Sequence, residues 1–188
     1  DDGDVYFDME GDPLYGDEGL EYLFGVWYRQ RGHGRYVFKA FWAHDRAQEK
    51  HAFESFMDEL AQAAGKDPVA FRLALLRSQP RQRAVLSKVA EMAGWGGPVS
   101  RDRALGVASM ECYGTHVATV AEVVRQGDNL RCERMWVAVD PGIAVRPDQV
   151  QAQIVSGVIT GLTGALRNRI TIRDGRVQET NFHQFEPL

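Results

Sequence analysis

Apolar and polar residues alternate along several stretches of the chain, and this alternation predicts two groups of strands. The first group comprises Asp4–Gly11, Leu20–Tyr28 and Tyr36–Trp42. The second group comprises Ala104–Glu111, His116–Val124 and Leu130–Val139. Because turn-forming residues such as Gly127-Asp128 separate neighbouring strands, each group is expected to form an antiparallel sheet, the first of them a three-stranded meander.

A helical spacing of apolar residues fills the segment between the two groups and returns near the C-terminus. Helices are expected over Asp45–Ala64, Asp67–Leu76 and Pro80–Ala93, and a further helix begins at Arg146-Pro147-Asp148. The last helix carries Gly157 and Gly161, and one of its faces is apolar: Val150, Ile154, Val155, Val158, Ile159, Leu162 and Leu166. The predicted fold is α+β, with an N-terminal three-stranded antiparallel meander, a helical connector, and a second antiparallel sheet with the Gly-rich helix packed across one face.

Composition narrows the classes of protein to consider. The 188 residues allow one domain or two small ones, and a net charge of −4 gives no electrostatic reason to expect nucleic acid or an anionic membrane as partner. No signal peptide or membrane-spanning segment is visible, so a cytoplasmic location is expected. Cys112 and Cys132 form no Cys-x-x-Cys motif and are interpreted as free structural thiols. A hairpin turning at Gly127-Asp128 pairs Cys132 with a residue near Val123.

Three places carry candidate chemistry. Asp8 and Glu10 are two residues apart on a strand, so both project from one face, and paired carboxylates suit a hard cation such as Mg²⁺. The alternative is a pair of acids at a solvated strand end. Asp140-Pro141-Gly142 breaks a strand before a helix N-terminus, where unpaired N–H groups can bind an anion. His116 has no Cys or second His at metal-ligand spacing and is interpreted as a histidine on a strand face.

Four segments resemble a single family of proteins. They are ESFMDELAQAAGKDPVAFRLALL (Glu54–Leu76), YGTHVATVAEV (Tyr113–Val123), VAVDPGIAVRPDQVQAQI (Val137–Ile154) and ITIRDGRVQETNFHQF (Ile170–Phe185). Through them the chain resembles the molybdopterin-binding large subunit of the xanthine dehydrogenase and isoquinoline 1-oxidoreductase family of molybdenum hydroxylases.

This resemblance implies an oxidoreductase function and a set of site residues. Members of the family bind molybdopterin, hydroxylate heteroaromatic or aldehyde carbons, and pass electrons to an iron–sulfur subunit. Gln153 matches the helix glutamine that the family places beside the cofactor, and Gly142 and Gly157 match its tight turns. The alternative for Gln153 is a polar residue on an exposed helix face.

Several positions depart from the family pattern. Pro141 stands where members often carry Cys, Arg146 replaces a usual Asn, and Val155-Ser156 replaces the usual Glu-Gly. The chain also ends at Leu188, before the segment in which the family carries its catalytic Glu. We therefore assign no catalytic residue, and expect neither retained cofactor nor hydroxylase turnover.

The N-terminal residues resemble a different family. VYFDMEGDPLYGDEGLEYLFGVW, followed by FWAHDRAQEKHAFESF, resembles the start of an RNase H-like exonuclease domain. By that resemblance Asp8 and Glu10 are ligands for Mg²⁺ or Mn²⁺ in phosphodiester hydrolysis, and nucleic acid is the partner. The chain shows no further acidic residue or general base for this chemistry after Glu59.

The two resemblances meet inside one predicted helix, at Ala52–Ala61. We divide the chain into residues 1–56, an RNase H-like exonuclease fragment, and residues 57–188, a molybdopterin-binding subunit fragment; recombination, an assembly error and a built chimera all fit such a join. Three functional hypotheses stay open: a molybdenum hydroxylase fragment, a metal-dependent 3′–5′ exonuclease fragment, and a folded chimera without catalysis. Open sheet edges on either half also favour a homo-oligomer.

Overall fold

The computed structural model describes residues 5–12, 20–29, 36–44, 46–127, 129–167, 171–173, 175–179 and 181. In chain order they form β1 (Val5–Asp12), β2 (Leu20–Arg29), β3 (Tyr36–Trp42), α1 (Arg46–Ala63), α2 (Pro68–Leu75), α3 (Pro80–Ala93), β4 (Arg103–Cys112), β5 (Thr115–Gln126), β6 (Asn129–Asp140), α4 (Pro147–Leu166), β7 (Ile172–Arg173) and β8 (Arg176–Val177). The chain divides into two compact units, Asp1–Pro141 and Gly142–Leu188. The predicted α+β class is confirmed.

Strands β1, β2 and β3 form an antiparallel sheet in that order, which confirms the predicted meander. Helix α1 packs on one face of this sheet, against β2 and β3. Phe24 and Val26 of β2 are buried there together with Ala52 and Phe56 of α1 and with Ala43. We call these five residues the first core. The rings of Phe24 and Phe56 have centroids 5.8 Å apart, a separation at which aromatic side chains attract one another.

Strands β4, β5 and β6 form a second antiparallel sheet in that order, and α3 lies across one face of it. Leu86 and Val89 of α3 are fully buried against this face. The second core consists of these two residues with Val69, Val85, Val107, Ala118, Val120 and Ala138. Burial of this aliphatic surface is the main force that holds α3 to the sheet and α2 to α3.

Contacts between α1 and α2 connect the two halves of the first unit. Asp58 of α1 accepts a hydrogen bond of 2.7 Å from the Arg72 guanidinium of α2, and Arg72 is 4% exposed. Asp67 caps α2 by accepting from the backbone N–H of Ala70 at 2.8 Å, and it also accepts from the Trp95 indole N–H at 2.6 Å. Trp95 also packs against the second core and thereby anchors the loop after α3.

The second unit contains α4 and the β7–β8 hairpin. Helix α4 begins at Pro147, as predicted, and ends at Leu166. Within the described part of this unit Thr163 is buried, whereas Val155 and Ile159 are about half exposed. The predicted packing of this helix across the second sheet stays a prediction. No helix among the described residues is long and apolar enough to cross a bilayer.

Two apolar residues that follow the helical spacing of buried neighbours are themselves exposed. Met92 lies three residues after the buried Val89 on α3 and is 45% exposed. Phe53 is 42% exposed, although its ring still contacts Phe24 edge-on. Other expectations on this unit are met: Cys132 pairs with Val123 across the hairpin, and Cys112 and Cys132 are free thiols. Asp45, Asp128 and Asp174 lie outside the described residues.

Candidate functional site

The end of the second sheet is held by a pair of charged residues. Arg81, in the first turn of α3, donates from Nε to Oδ2 of Asp140 and from Nη2 to Oδ1, both at 2.8 Å. The hydrogen bond to Asp140 raises the pKa of Arg81. Asp140 is the last residue of β6 and directly precedes Pro141-Gly142. The pair therefore fixes the point at which the chain leaves the sheet.

A buried amide lies one residue further along α3. Gln82 is 3% exposed, and its amide lies 2.8 Å from Nδ1 of His116 on β5. When the amide nitrogen faces His116, it donates to Nδ1 and to the Met110 carbonyl, and the amide oxygen accepts from the Met110 N–H at 3.0 Å. We assign this orientation because it satisfies every polar atom of the amide. His116 is thus a strand-face histidine, as predicted, with a fixed partner.

A cleft opens beside Gln82 between α1, α2, α3 and β4. Apolar and polar side chains both line it: Phe53, Met57, Arg72, Leu75, Leu76, Gln79, Gln82, Ser109, Met110 and Glu111. Arg72 is engaged by Asp58 and Glu111 accepts from the Gly114 N–H at 2.6 Å. The cleft has the composition of a small-molecule site, but its charged groups are already engaged within the unit.

The opposite end of the second sheet carries a buried carboxylate. Glu122 lies between Arg103, at 3.0 Å, and Arg134, whose Nε donates to Glu122 at 2.9 Å. These guanidinium groups lower the pKa of Glu122, Arg103 contributing more than Arg134. Nη1 of Arg103 is buried and makes this ion pair without a well-aligned hydrogen bond. The arrangement stabilises the sheet and leaves Glu122 fully ionised at neutral pH.

In the second unit, the segment before α4 was predicted to bind an anion. Gly142 has φ of 79°, a conformation that glycine adopts without strain. Arg146 precedes the helix and donates to Asp148 in its first turn at 3.0 Å, and this hydrogen bond lowers the pKa of Asp148. A carboxylate therefore already compensates the positive end of the helix dipole, which reduces its attraction for an external anion.

Gln153 and Gly157 lie one turn apart on the same side of α4. Gln153 is exposed, and its amide makes no hydrogen bond within the described residues. A Cβ added at Gly157 would meet no atom within 4 Å. The helix thus presents a free amide beside open space. Gly142 lies five residues before the helix begins, and the placement of all three as cofactor contacts stays a prediction.

The predicted metal ligands lie on β1. The sheet register pairs Asp8 with Gly25 and Glu10 with Leu23, rows that alternate with the buried Phe24 and Val26. Glu10 is exposed, whereas the side chain of Asp8 lies outside what the structure describes. Among the described residues, no three His, Cys, Asp or Glu side chains come together as metal ligands.

Glu59 is a further acidic residue of the N-terminal half, and it makes structural contacts. It lies on α1, which covers the sheet face occupied by Phe24 and Val26, and accepts hydrogen bonds from Lys39 and from the Tyr28 hydroxyl. The hydrogen bond from Lys39 to Glu59 also raises the pKa of Lys39. Glu59 is therefore engaged on the helix-covered side of the sheet, away from the face to which the register assigns Glu10.

Comparison with known proteins gives two family matches. Residues 41–188 match the molybdopterin cofactor-binding domain, and residues 5–73 match the RNase_H superfamily. The two matches overlap over residues 41–73, which contain all of α1. The predicted boundary at Phe56 falls inside this overlap and stays a prediction.

Three characterised relatives match the same region. The chain is 42% identical over 147 residues to the beta subunit of the isoquinoline 1-oxidoreductase of Brevundimonas diminuta, a match covering 76% of this chain and 19% of the relative. It is 31% identical to a membrane-bound aldehyde dehydrogenase (pyrroloquinoline-quinone) of Gluconacetobacter polyoxogenes, covering 72% and 20%. It is 32% identical to one of the subunits of the nicotinate dehydrogenase of Pseudomonas putida KT2440, covering 67% and 12%. No solved structure gives a significant match.

The class that these matches define is a cofactor-binding domain. The chain belongs to the molybdopterin cofactor-binding domain family, because that family model covers most of its residues. It spans a fifth or less of the length of the relatives it matches. The resemblance stated from the sequence is confirmed for both segments.

Sequence reasoning missed Arg81 and Gln82, because it treated α3 only as a packing helix. One signal was available for Gln82. It lies three and four residues before Val85 and Leu86, so it shares their buried face, and a polar residue on such a face needs a polar partner. The pairing of Arg81 with Asp140 carries no such local signal.

Proposed function

We propose that this chain supplies part of the cofactor-binding wall of a molybdenum hydroxylase, an oxidoreductase that works with an iron–sulfur subunit. One observation supports this proposal. On one side of α4, the Gln153 amide makes no hydrogen bond within the described residues and lies next to the open space over Gly157. A pterin carries hydrogen-bond donors and acceptors along its edge, and one amide can serve both kinds. A site without a side chain at Gly157 lets the ring approach the helix backbone.

Bound molybdopterin supplies the molybdenum at which the redox step occurs. The residues of this chain bind and orient the cofactor. Gln153 fixes the edge of the pterin by hydrogen bonds, Gly157 sets the closest approach, and Gly142 allows the turn that precedes the helix. Because two of the three relatives are named for nitrogen heterocycles, we propose a heteroaromatic substrate for the complete enzyme. The isolated chain, which spans so little of those relatives, is proposed to show no turnover.

A pterin titration tests the site without the complete enzyme. Neopterin is added to the ¹⁵N-labelled chain, and backbone amide shifts are followed by NMR. Shifts are expected around Gln153 and Gly157, and Gln153→Ala should weaken binding by about fivefold, the net value of one hydrogen bond.

The matched control is Gln151→Ala. Gln151 is also exposed, and at 100° per residue it points away from the side that carries Gln153. Its replacement should leave the titration unchanged. Equal weakening by both variants, or no shifts in α4, would contradict the proposed site.

A second candidate function rests on the match of residues 5–73 to the RNase_H superfamily. In this proposal Asp8 and Glu10 bind Mg²⁺ or Mn²⁺ and support phosphodiester hydrolysis. Two carboxylates form a weak metal site, so Mn²⁺ affinity is measured rather than hydrolysis. Identical Mn²⁺ titrations for the parent chain and Asp8→Asn would remove this candidate, and would leave the proposal of a folded chimera without catalysis for the first half.

A further inference from the structure

We propose that the first sheet forms a homodimer through the face that α1 does not cover. Four aromatic side chains lie on this face: Trp27, Tyr36, Phe38 and Trp42. We call them the outer aromatic face. The register pairs Trp27 with Phe38 and Trp42 with Leu23, and these rows alternate with the rows that carry Phe24 and Val26.

All four rings are exposed, and three of them contact one another. Their exposed fractions are 49% for Trp27, 63% for Tyr36, 56% for Phe38 and 58% for Trp42. The Trp27 centroid lies 6.1 Å from that of Tyr36 and 6.2 Å from that of Phe38. These three rings thus form one apolar cluster, and Trp42 lies further along β3 on the same face.

The area of this surface matches the core of a dimer interface. A large aromatic side chain can bury 150–250 Å², so four that are about half exposed offer roughly 400 Å². A standard interface buries about 800 Å² on each partner, with an apolar core and a polar rim. The rings therefore provide about half of that area. The remainder of the face adds a rim.

A second copy of the chain fits this surface better than an anionic partner does. A two-fold interface brings the same patch of both subunits together, and aromatic rings pack well on aromatic rings. Glu10 is exposed in the row of Leu23, on β1, so the acidic side of the face lies one to two strands from the rings. The same carboxylate repels the phosphates of nucleic acid or lipid.

Sedimentation equilibrium of the whole chain, from about 1 to 100 μM, tests the dimer. The parent chain is expected to dimerise within this range, and Phe38→Glu is expected to weaken dimerisation at least tenfold because it buries a charge in an apolar interface. Tyr113→Glu is the matched control, since Tyr113 is a fully exposed aromatic residue in the β4–β5 turn. It should dimerise like the parent.

A second readout comes from tryptophan emission. Burial of Trp27 and Trp42 should shift the emission of the parent to shorter wavelength as concentration rises, and the shift should be absent in Phe38→Glu. If circular dichroism shows that Phe38→Glu is unfolded, the uncharged Phe38→Ser replaces it with the same expected loss. A monomeric parent, or a dimer that persists in the folded Phe38 variant because strand edges pair instead, would overturn the proposal. So would a monomeric parent whose emission responds to a single-stranded oligonucleotide.

Discussion

Arg81 and Asp140 join the first turn of α3 to the last residue of β6 through two parallel hydrogen bonds of 2.8 Å. A guanidinium and a carboxylate that meet in this way fix both the distance and the relative orientation of the two elements. Since Pro141 and Gly142 follow Asp140 directly, the pair sets where the first unit of the chain ends.

Replacing Arg81 tests this relationship. Arg81→Met should lower the urea midpoint of unfolding, and Arg81→Lys should recover only part of the loss because an ammonium cannot form both bonds. Arg77→Met, at an exposed arginine, is the control. A double-mutant cycle with Asp140→Asn measures the coupling. Purely additive effects would show that the pair contributes nothing.

Truncation of Leu86 should be the most costly change on α3. Its side chain is fully buried in the second core, and Leu→Ala at such a site costs about 2–5 kcal/mol. Leu75→Ala removes the same atoms from a side chain that is 58% exposed and should cost less than about 1 kcal/mol. Denaturant unfolding followed by circular dichroism compares the two. Similar losses would mean that α3 does not carry the core.

Glu122 makes the stability of the folded chain depend on pH in the acidic range. Its pKa is lowered in the folded state by Arg103 and then by Arg134, so its contribution is complete above the unfolded pKa of about 4.3 and is lost as the pH falls through the lower folded value. Glu122→Gln should therefore flatten the fall in unfolding free energy below about pH 4.5. Glu91→Gln, at a residue whose side chain is 71% exposed, should leave that fall unchanged.

Replacement of the buried Gln82 should destabilise the folded chain. Gln82→Ala removes the partner of His116 Nδ1 and of the Met110 backbone, and unsatisfied buried groups cost about 1–3 kcal/mol. Gln79→Ala, at an exposed glutamine, should change stability by less than about 0.5 kcal/mol. Thermal unfolding of both variants gives the comparison. A neutral Gln82→Ala would imply that water replaces the amide.

Replacement of Gly157 should have opposite effects on the stability of α4 and on ligand binding. Gly157→Ala meets no neighbour, and it should strengthen α4 by about 1 kcal/mol because alanine is the better helix former. If a pterin approaches the helix there, the same change should weaken neopterin binding. Hydrogen exchange of α4 measures the first effect and the NMR titration the second. Stronger helix protection with unchanged binding would place the pterin elsewhere.

Much of the fold could be predicted from the sequence because its signals are local. Strand alternation in β4, β5 and β6, together with the turn at Gly127, fixed the register closely enough to pair Cys132 with Val123. Pro80 and Gly94 marked both ends of α3, and Gly94 takes the left-handed conformation that ends a helix. The family was recognised from motifs, which also named Gln153 and Gly157.

The long-range contacts within the first unit could not be predicted in the same way. Arg81 and Asp140 are far apart in sequence, and an arginine in a first helical turn is most simply read as solvated. Met92 follows the helical spacing of Val85 and Val89, yet it is 45% exposed. Which apolar positions are buried depends on the opposing surface, and periodicity alone does not contain that information.

The contact between α1 and α2 couples the unfolding of the two halves of the first unit. The first core lies under α1 and the second under α3, so each half has a hydrophobic core of its own and can act as a folding unit. When α1 detaches, the first core loses its cover, and the buried Arg72 guanidinium loses the carboxylate of Asp58. Detachment of α1 therefore removes contacts from both halves of the unit, and we expect the joined halves to unfold in one shared transition.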